Sequence, residues 1–258
     1  MRRQFIVAKV AIFILSLAIL LAGCQPLAGP GGSATTSTLQ AIQYNDRGTQ
    51  LIKEGQYDEA IAELNKAIEL DPGLAMAFTN RGAAYLHKSE LDQAIADFDT
   101  AINLDPKLAP AYSNRAYVYH EKGELDKALA DADMAIKLDP EFADAYSNRG
   151  RAYLDKGEFD KAVADSDKAI ELNPGLVMAY VNRGSAYLNK DEPDKAVADC
   201  IKAIELDPQL AIAYANRALA YTLLGRDAEA KQDIERAVEL GLDRGHLEQM
   251  VERVKQMR

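Results

Sequence analysis

The chain has few of the residues on which catalytic and metal sites depend. Its 258 residues include no tryptophan, two cysteines and three histidines. None of the histidines shares a helical face with another histidine or cysteine at ligand spacing, so no zinc or iron site is predicted. The sequence also lacks a glycine-rich phosphate loop and a nucleophile elbow. These absences argue against an enzyme, and they indicate no cofactor and no small-molecule substrate.

Basic residues are outnumbered by acidic ones, 30 to 40. The formal net charge is −10, whereas a nucleic-acid surface needs clustered lysine and arginine. A nucleic-acid partner is therefore not expected. The two cysteines, Cys24 and Cys200, do not make a disulfide framework, and Cys200 occupies a position where a small core residue is expected.

Residues 1–23 have the composition of an export signal. A short basic start precedes an apolar run from Val10 to Ala22, which is too short for a comfortable membrane span. The letters Leu-Ala-Gly-Cys that end at Cys24 resemble the bacterial lipobox. This resemblance implies cleavage before Cys24, lipid on its thiol, and a protein held at the outer membrane or cell surface. The alternative is an uncleaved anchor helix from Phe5 to Ala22, and both interpretations place the rest of the chain outside the cytoplasm.

Residues 25–40 carry no charge and are rich in glycine, proline, serine and threonine. Together with Cys24 they form the segment 24–40, which we expect to be a flexible tether. A coil of this kind has a root-mean-square reach of about 20 Å, enough to hold the following residues clear of lipid headgroups.

From residue 41 onward the same pattern returns every 34 residues. Positions are counted from 1 to 34 within each copy. In the copy that begins at Ala143, Tyr146, Gly150 and Tyr153 form one helical stripe, while Ala162, Ser166 and Ala169 form another. Each copy therefore predicts two facing helices, A and B, with a turn at position 15 and a stop at the proline of position 32. Such a hairpin has to stack on its copies, which gives a solenoid.

This pattern resembles the tetratricopeptide repeat, whose period is also 34. An aromatic residue at position 4, glycine or alanine at 8, alanine at 20 and 27, and proline at 32 carry the resemblance. It implies an all-α, right-handed α-solenoid. The six units are 41–74, 75–108, 109–142, 143–176, 177–210 and 211–244. Residues 245–258 lose the period but keep helical spacing of Leu247, Met250, Val251 and Val254, which predicts a C-terminal capping helix.

Position 7 is arginine and position 23 is acidic in all six units. Position 7 lies on the stripe of helix A that faces helix B, and position 23 lies on the opposing stripe. We therefore predict a ladder of partly buried arginine–carboxylate bonds, bidentate where the geometry allows. The alternative is a row of arginines that binds an anionic ligand.

Position 6 is asparagine in five units, and the resemblance places it on the concave groove. An asparagine offers a donor and an acceptor together, which suits a peptide backbone. The row resembles the asparagine ladders with which some tetratricopeptide domains hold extended polypeptide, and in the alternative interpretation it only ties neighbouring repeats together. Tyr117 and Arg151 are included with the asparagine row, because tyrosine and arginine often anchor interfaces. The predicted peptide-binding residues are thus Asn80, Asn114, Asn148, Asn182, Asn216, Tyr117 and Arg151.

The groove composition also changes along the array. Its centre is polar, with Asp144 and Asp155, whereas the last two units contribute Met178, Ile212 and Leu219. Apolar ligand side chains are expected at that far end, unless the capping helix or a second copy of the protein covers it.

These features together predict a membrane-anchored, non-enzymatic scaffold that binds an extended peptide or a partner protein. Six-repeat lipoproteins that assist type IV pilus or secretion assembly suggest a narrower role, and adaptors of cell-wall hydrolases or proteases suggest another. An enzyme is the alternative from a different class.

Overall fold

The computed structural model describes residues 36–256. Within this range the chain forms thirteen α-helices and no strand. The helices are α1 Thr36–Lys53, α2 Tyr57–Leu70, α3 Ala75–His87, α4 Leu91–Leu104, α5 Ala109–Glu121, α6 Leu125–Leu138, α7 Ala143–Asp155, α8 Phe159–Leu172, α9 Val177–Asn189, α10 Pro193–Leu206, α11 Ala211–Leu223, α12 Asp227–Glu239 and α13 Arg244–Lys255.

Consecutive helices pair as the period predicts, α1 with α2 through to α11 with α12. The all-α solenoid of six hairpins plus a final helix is therefore confirmed. The described residues divide into two compact bodies, 36–140 and 141–256. The N-terminal body holds three hairpins, and the C-terminal body holds three hairpins and α13.

The turn inside each hairpin depends on a residue with left-handed backbone geometry at position 15. In four hairpins this residue is glycine, with φ of 75° or 76° at Gly55, Gly123, Gly157 and Gly225. The other two hairpins place Ser89 and Asp191 there, both with φ of 61°. Glycine adopts this conformation without a steric penalty, whereas serine and aspartate do not. Two turns are therefore formed by residues that fit them less well.

The end of helix B is fixed by a side chain at position 31. In these turns the aspartate or asparagine accepts a hydrogen bond from the backbone N–H two residues later, at 2.9 to 3.0 Å; the residues are Asp71, Asp105, Asn173 and Asp207. The proline between donor and acceptor prevents the helix from continuing. The same local chemistry thus returns the chain to the next helix A in both bodies.

The core of each hairpin is built from small residues on both helices. The alanines at positions 20 and 27 have almost no exposed surface, so the two helix backbones approach closely. Position 8 of helix A faces position 24 of helix B; position 8 is glycine or alanine in every hairpin, whereas position 24 varies in size. Gly82 lies against the fully buried ring of Phe98, for example, while Ala116 and Ala132 are both small.

The first helix begins earlier than the repeat boundary suggests. α1 starts at Thr36, so residues 36–40, which we assigned to the tether, belong to the helix. These five residues contain no glycine or proline to stop it, and the Ser37 hydroxyl donates to the carbonyl oxygen of Leu70 at 3.1 Å. The predicted signal peptide, Cys24 and residues 25–35 lie outside the described residues. Between residues 36 and 256 no helix combines the length and apolar character needed to cross a membrane.

The two ends of the array meet solvent in different ways. At positions 3 and 10 the later hairpins bury alanine or valine, but the first hairpin has exposed Gln43 and Gln50 there. At the other end α13 buries Leu247, Met250, Val251 and Val254 against the last hairpin, as predicted for a cap. It begins where Asp243 accepts a hydrogen bond from the N–H of His246 at 2.7 Å. Both terminal faces are therefore adapted to water.

Candidate interaction surface on the first helices

The A helices form the inner side of each body. Within the N-terminal body α1 contacts α3 and α3 contacts α5, and within the C-terminal body α7 contacts α9 and α9 contacts α11. Among the described residues, no B helix contacts another B helix. A row of hairpins that touch along one helix and separate along the other curves toward the first. The A helices are therefore the concave side within each body, where the sequence predicted the ligand groove.

The asparagine row connects neighbouring A helices where its contacts are resolved. The side-chain amide of Asn80 donates to the Asn45 side chain at 2.8 Å and to the Thr49 hydroxyl at 3.0 Å. Asn182 donates to the carbonyl oxygen of Ser147 at 3.1 Å. All of these acceptors lie at positions 5 and 9 of the preceding hairpin.

Asn216 follows the same pattern, because its amide donates to the Ser185 hydroxyl at 2.8 Å. Asn80, Asn182 and Asn216 are buried. The amide donors of these three residues therefore tie neighbouring repeats together, which is the alternative interpretation of the asparagine row. Serine and threonine at positions 5 and 9, which the sequence did not single out, are their partners.

The remaining predicted residues are more accessible. Asn114 and Tyr117 lie one turn apart on α5 of the N-terminal body, and Asn148 and Arg151 lie one turn apart on α7 of the C-terminal body. All four side chains are half-buried. In each body the accessible part of the predicted groove is thus an asparagine with a larger side chain beside it. Whether they bind peptide stays a prediction.

The acidic residue at the polar part of the groove has an unusual environment. Asp144 lies in the first turn of α7 and is half-buried. Burial raises the pKa of its carboxyl group to about 6, although a backbone hydrogen bond partly opposes the shift.

The apolar end of the groove is partly covered by the capping helix. Leu219, which we predicted to receive ligand side chains, is buried in one cluster with Leu247, Met250 and Val254 of α13. For Leu219, coverage by the capping helix is the alternative that the structure bears out. Ile212 and Met178 are only half-buried and pack around Val181 and Leu210 instead.

The arginine–carboxylate ladder is confirmed within the hairpins. In five of them Nε and Nη2 of the arginine at position 7 donate to the two oxygens of the aspartate at position 23. The distances are 2.6 to 2.9 Å for Arg81–Asp97, Arg115–Asp131, Arg149–Asp165, Arg183–Asp199 and Arg217–Asp233. The first hairpin is looser, since Arg47 is 67% exposed and its Nη1 lies 3.8 Å from Glu63. Hydrogen bonds from Arg81 to Asp97 raise the pKa of Arg81 despite its partial burial.

A third bond of the same arginines links successive hairpins. Nη1 of Arg81 donates to Asn65 at 2.6 Å, and Nη1 of Arg183 donates to Asp167 at 2.6 Å. Both acceptors lie at position 25 of the preceding hairpin. Arg115 is bonded in the same way to Asp99. The arginines therefore bind polar and anionic groups of this chain. The polar residue at position 25 was the sequence signal from which the acceptor in the preceding hairpin could have been predicted.

No other site chemistry is evident in the described part of the chain. Residues 36–256 contain no group of histidine, cysteine, aspartate and glutamate side chains that could hold a metal ion. Cys200 is fully buried, and burial raises the pKa of its thiol. It is a core residue, as its position in the repeat predicted.

Paired helices that repeat every 34 residues, with a concave first-helix face, define a helical repeat protein of the protein-interaction type. Family models described as TPR repeat match residues 48–89, 84–123 and 116–157, and models described as tetratricopeptide repeat match 143–176, 177–210 and 211–240. The chain belongs to the tetratricopeptide repeat family. Members of this family bind proteins or peptides.

Solved structures with the same fold are distant in sequence. A chain of the APC/C hetero-tetramer Cut9–Hcn1 aligns with a TM-score of 0.76 and 18% identity over 83% of this chain, which spans only 42% of that one. PilW, a widely conserved type IV pilus biogenesis factor, aligns at 0.68 with 18% identity, covering 79% and 93% of the two chains. YrrB, a protein with an unusual peptide-binding site, aligns at 0.53 with 24% identity, covering 75% and 97%. Comparison with curated protein sequences found no match.

Proposed function

We propose that this protein is a non-enzymatic scaffold, anchored to the envelope through lipid on Cys24, that holds an extended segment of a partner protein along its A helices. The observation that carries this proposal is the concave A-helix face, which has half-buried polar side chains in each body. Membership of the tetratricopeptide repeat family supports a protein or peptide partner. YrrB, which has a similar fold, is a protein with a peptide-binding site.

In this proposal the asparagines have two different roles. Asn80, Asn182 and Asn216 keep adjacent A helices in register, because their amide donors are bonded to the preceding hairpin. Asn114 and Asn148, with Tyr117 and Arg151 beside them, contact the partner, because these four side chains are only half-buried. Arginine and tyrosine contribute large contact areas and several hydrogen-bond donors, which suits this role.

Photo-crosslinking from native membranes tests the groove. A photoreactive residue placed at Arg151 of the full chain should capture a partner, while the same residue at exposed Glu171 on helix α8 should not. Arg151→Ala should weaken co-purification of that partner, and Asn182→Ala should lower the melting midpoint. Equal capture from both positions would contradict the proposal, as would unchanged co-purification of the Arg151→Ala variant.

The anchor is tested separately. Each buried methylene of an acyl chain contributes about 0.8 kcal/mol to membrane binding. Cys24→Ser should therefore release the protein from the membrane fraction and remove the lipid mass from the purified protein. An unchanged mass and unchanged membrane association would reject lipidation at Cys24.

A narrower candidate is an assembly factor for a pilus or secretion complex. Its support is the similarity of fold to PilW, which is a type IV pilus biogenesis factor. Identification of the crosslinked partner distinguishes the two: a pilus or secretin subunit would favour the assembly factor, and a cell-wall hydrolase or protease would favour an adaptor.

A further inference from the structure

The groove asparagines of the C-terminal body use the N–H end of the side-chain amide within the chain. Nδ2 of Asn182 donates to the carbonyl oxygen of Ser147 at 3.1 Å. A carbonyl oxygen can only accept, so this bond fixes which end of the Asn182 amide faces the neighbouring helix. Nδ2 of Asn216 donates to the Ser185 hydroxyl at 2.8 Å in the same arrangement. The other end of each amide, the Oδ1 atom, is therefore turned away from these bonds.

These Oδ1 atoms have no donor within the described residues. Neither Oδ1 is covered by surrounding atoms, so both reach the surface of the groove although Asn182 and Asn216 are mostly buried. Asn189, further along the same stripe of α9, also uses its Nδ2, which donates to the carbonyl oxygen of Ser185 at 2.8 Å. Its Oδ1 is covered and has no partner in the described part of the chain. These asparagines therefore offer acceptors to a ligand, because their donors are already bonded.

Asp144 adds a charged acceptor to the same place. It lies one turn before Ser147 on α7, and Ser147 is the residue to which Asn182 is bonded. Burial raises the pKa of the Asp144 carboxyl group to about 6, and no cation of the described residues opposes the shift. Partial burial of a carboxylate without a cation is unfavourable. A cationic group of a ligand would supply the missing partner.

The other charged residues of this groove do not reverse its sign. At positions 2, 5, 6, 9 and 13 of α7, α9 and α11 the charged residues are two acids and one base, namely Asp144, Asp155 and Arg151. Arg151 and Asp155 are four residues apart on α7, a spacing at which opposite charges attract on a helix. The groove of the C-terminal body therefore combines unbonded acceptor oxygens with a small excess of negative charge.

We propose that this groove binds a partner segment that carries a lysine or arginine side chain, whose cation lies against Asp144 and Oδ1 of Asn182. A backbone N–H of the same segment donates to Oδ1 of Asn216. Hydrogen bonds from a cation to a carboxylate are about twice as strong as neutral ones, which makes the basic side chain the anchor. Arg151 donates to carbonyl groups of the segment. The inference rests on the proposed function, since it names the chemistry of the segment that the groove would hold.

Titration of the full chain with defined peptides tests the charge of the ligand. The probes are fluorescein-labelled peptides that repeat Ser-Lys-Ala, Ser-Gln-Ala or Ser-Glu-Ala. The lysine peptide should bind at least about tenfold more tightly than the glutamine peptide, and the glutamate peptide should bind most weakly. Equal affinity for all three would overturn this inference but support the proposed function, because the groove would then hold a segment of any charge. If no peptide binds, this inference is wrong, whereas crosslinking from Arg151 still decides the proposed function.

Matched variants separate the groove from the overall negative charge of the chain. Asp144→Asn removes the carboxylate at nearly constant size and should weaken binding of the lysine peptide about tenfold. Asp194→Asn makes the same change in the first turn of α10, a B helix on which this aspartate is exposed, and should leave the affinity unaltered. Both variants should bind the glutamine peptide like the wild type. If the two variants weaken lysine-peptide binding equally, or if Asp144→Asn binds it like the wild type, the inference is wrong.

Discussion

Adding one methyl group at position 8 is expected to have opposite effects in two hairpins of this chain. A Cβ on Gly82 would lie 2.7 Å from one carbon of the Phe98 ring and 3.0 Å from two others. A Cβ on Gly184 would lie 3.4 Å from Asp199 and 3.6 Å from Cys200. Carbon atoms in proteins make favourable contacts near about 3.5 to 4.0 Å. The first methyl group therefore overlaps its neighbour, while the second only touches it.

The magnitudes follow from two opposing terms. Alanine is more favourable than glycine inside a helix by about 1 kcal/mol, and both glycines are helical. Overpacking a core usually costs about 1 to 3 kcal/mol, and the fully buried ring of Phe98 has little room to move. Gly82→Ala should therefore destabilise the chain by about 1 kcal/mol, the difference between these two terms. Gly184→Ala should stabilise it by up to about 1 kcal/mol.

Chemical unfolding followed by circular dichroism measures the difference between the two variants. Amide exchange in α3 and α4, compared with α9 and α10, shows that each change acts in its own hairpin. A further variant isolates the ring, since Phe98→Ala should cost about 1 to 2 kcal/mol less in the Gly82→Ala protein than in the wild type. A Gly82→Ala protein as stable as the wild type, or effects of equal sign at both glycines, would refute this account of position 8.

Two further changes test strain and burial elsewhere. Ser89→Gly should raise the free energy of unfolding by about 0.5 to 1 kcal/mol, because a φ of 61° suits glycine. Asp191→Gly should raise it less, because aspartate tolerates this backbone region better than serine. The melting midpoints of the two variants check this order. Ser166→Ala should also stabilise by about 1 kcal/mol, since its buried hydroxyl has no hydrogen-bond partner in the described part of the chain. A lower unfolding midpoint for the alanine variant would show that the hydroxyl is satisfied in solution.

The sequence alone determined the repeat, the hairpin and the position-23 carboxylate that the arginine binds in five hairpins. A period of 34 residues can be recognised from single letters, because every copy must present the same stripe to the same neighbour. Arg183 and Asp199 could be paired for that reason, since both lie on facing stripes of one hairpin and local geometry brings them together. The capping role of the residues after 244 was predictable in the same way, because a solenoid must cover its last apolar face.

Contacts between hairpins were decided only by the tertiary structure. Asn182 could equally have pointed to a ligand or to its neighbour, and the position of Ser147 on the adjacent A helix determined the bond of its amide. The sequence left Leu219 either open to a ligand or covered by the capping helix, and α13 packs over it. Asn182 has its partner in another hairpin, and Leu219 has its partner in the helix that follows the last repeat. The spacing of residues within one hairpin determines how its own two helices pair. It does not determine the distance and rotation between hairpins, and the contacts between hairpins depend on both.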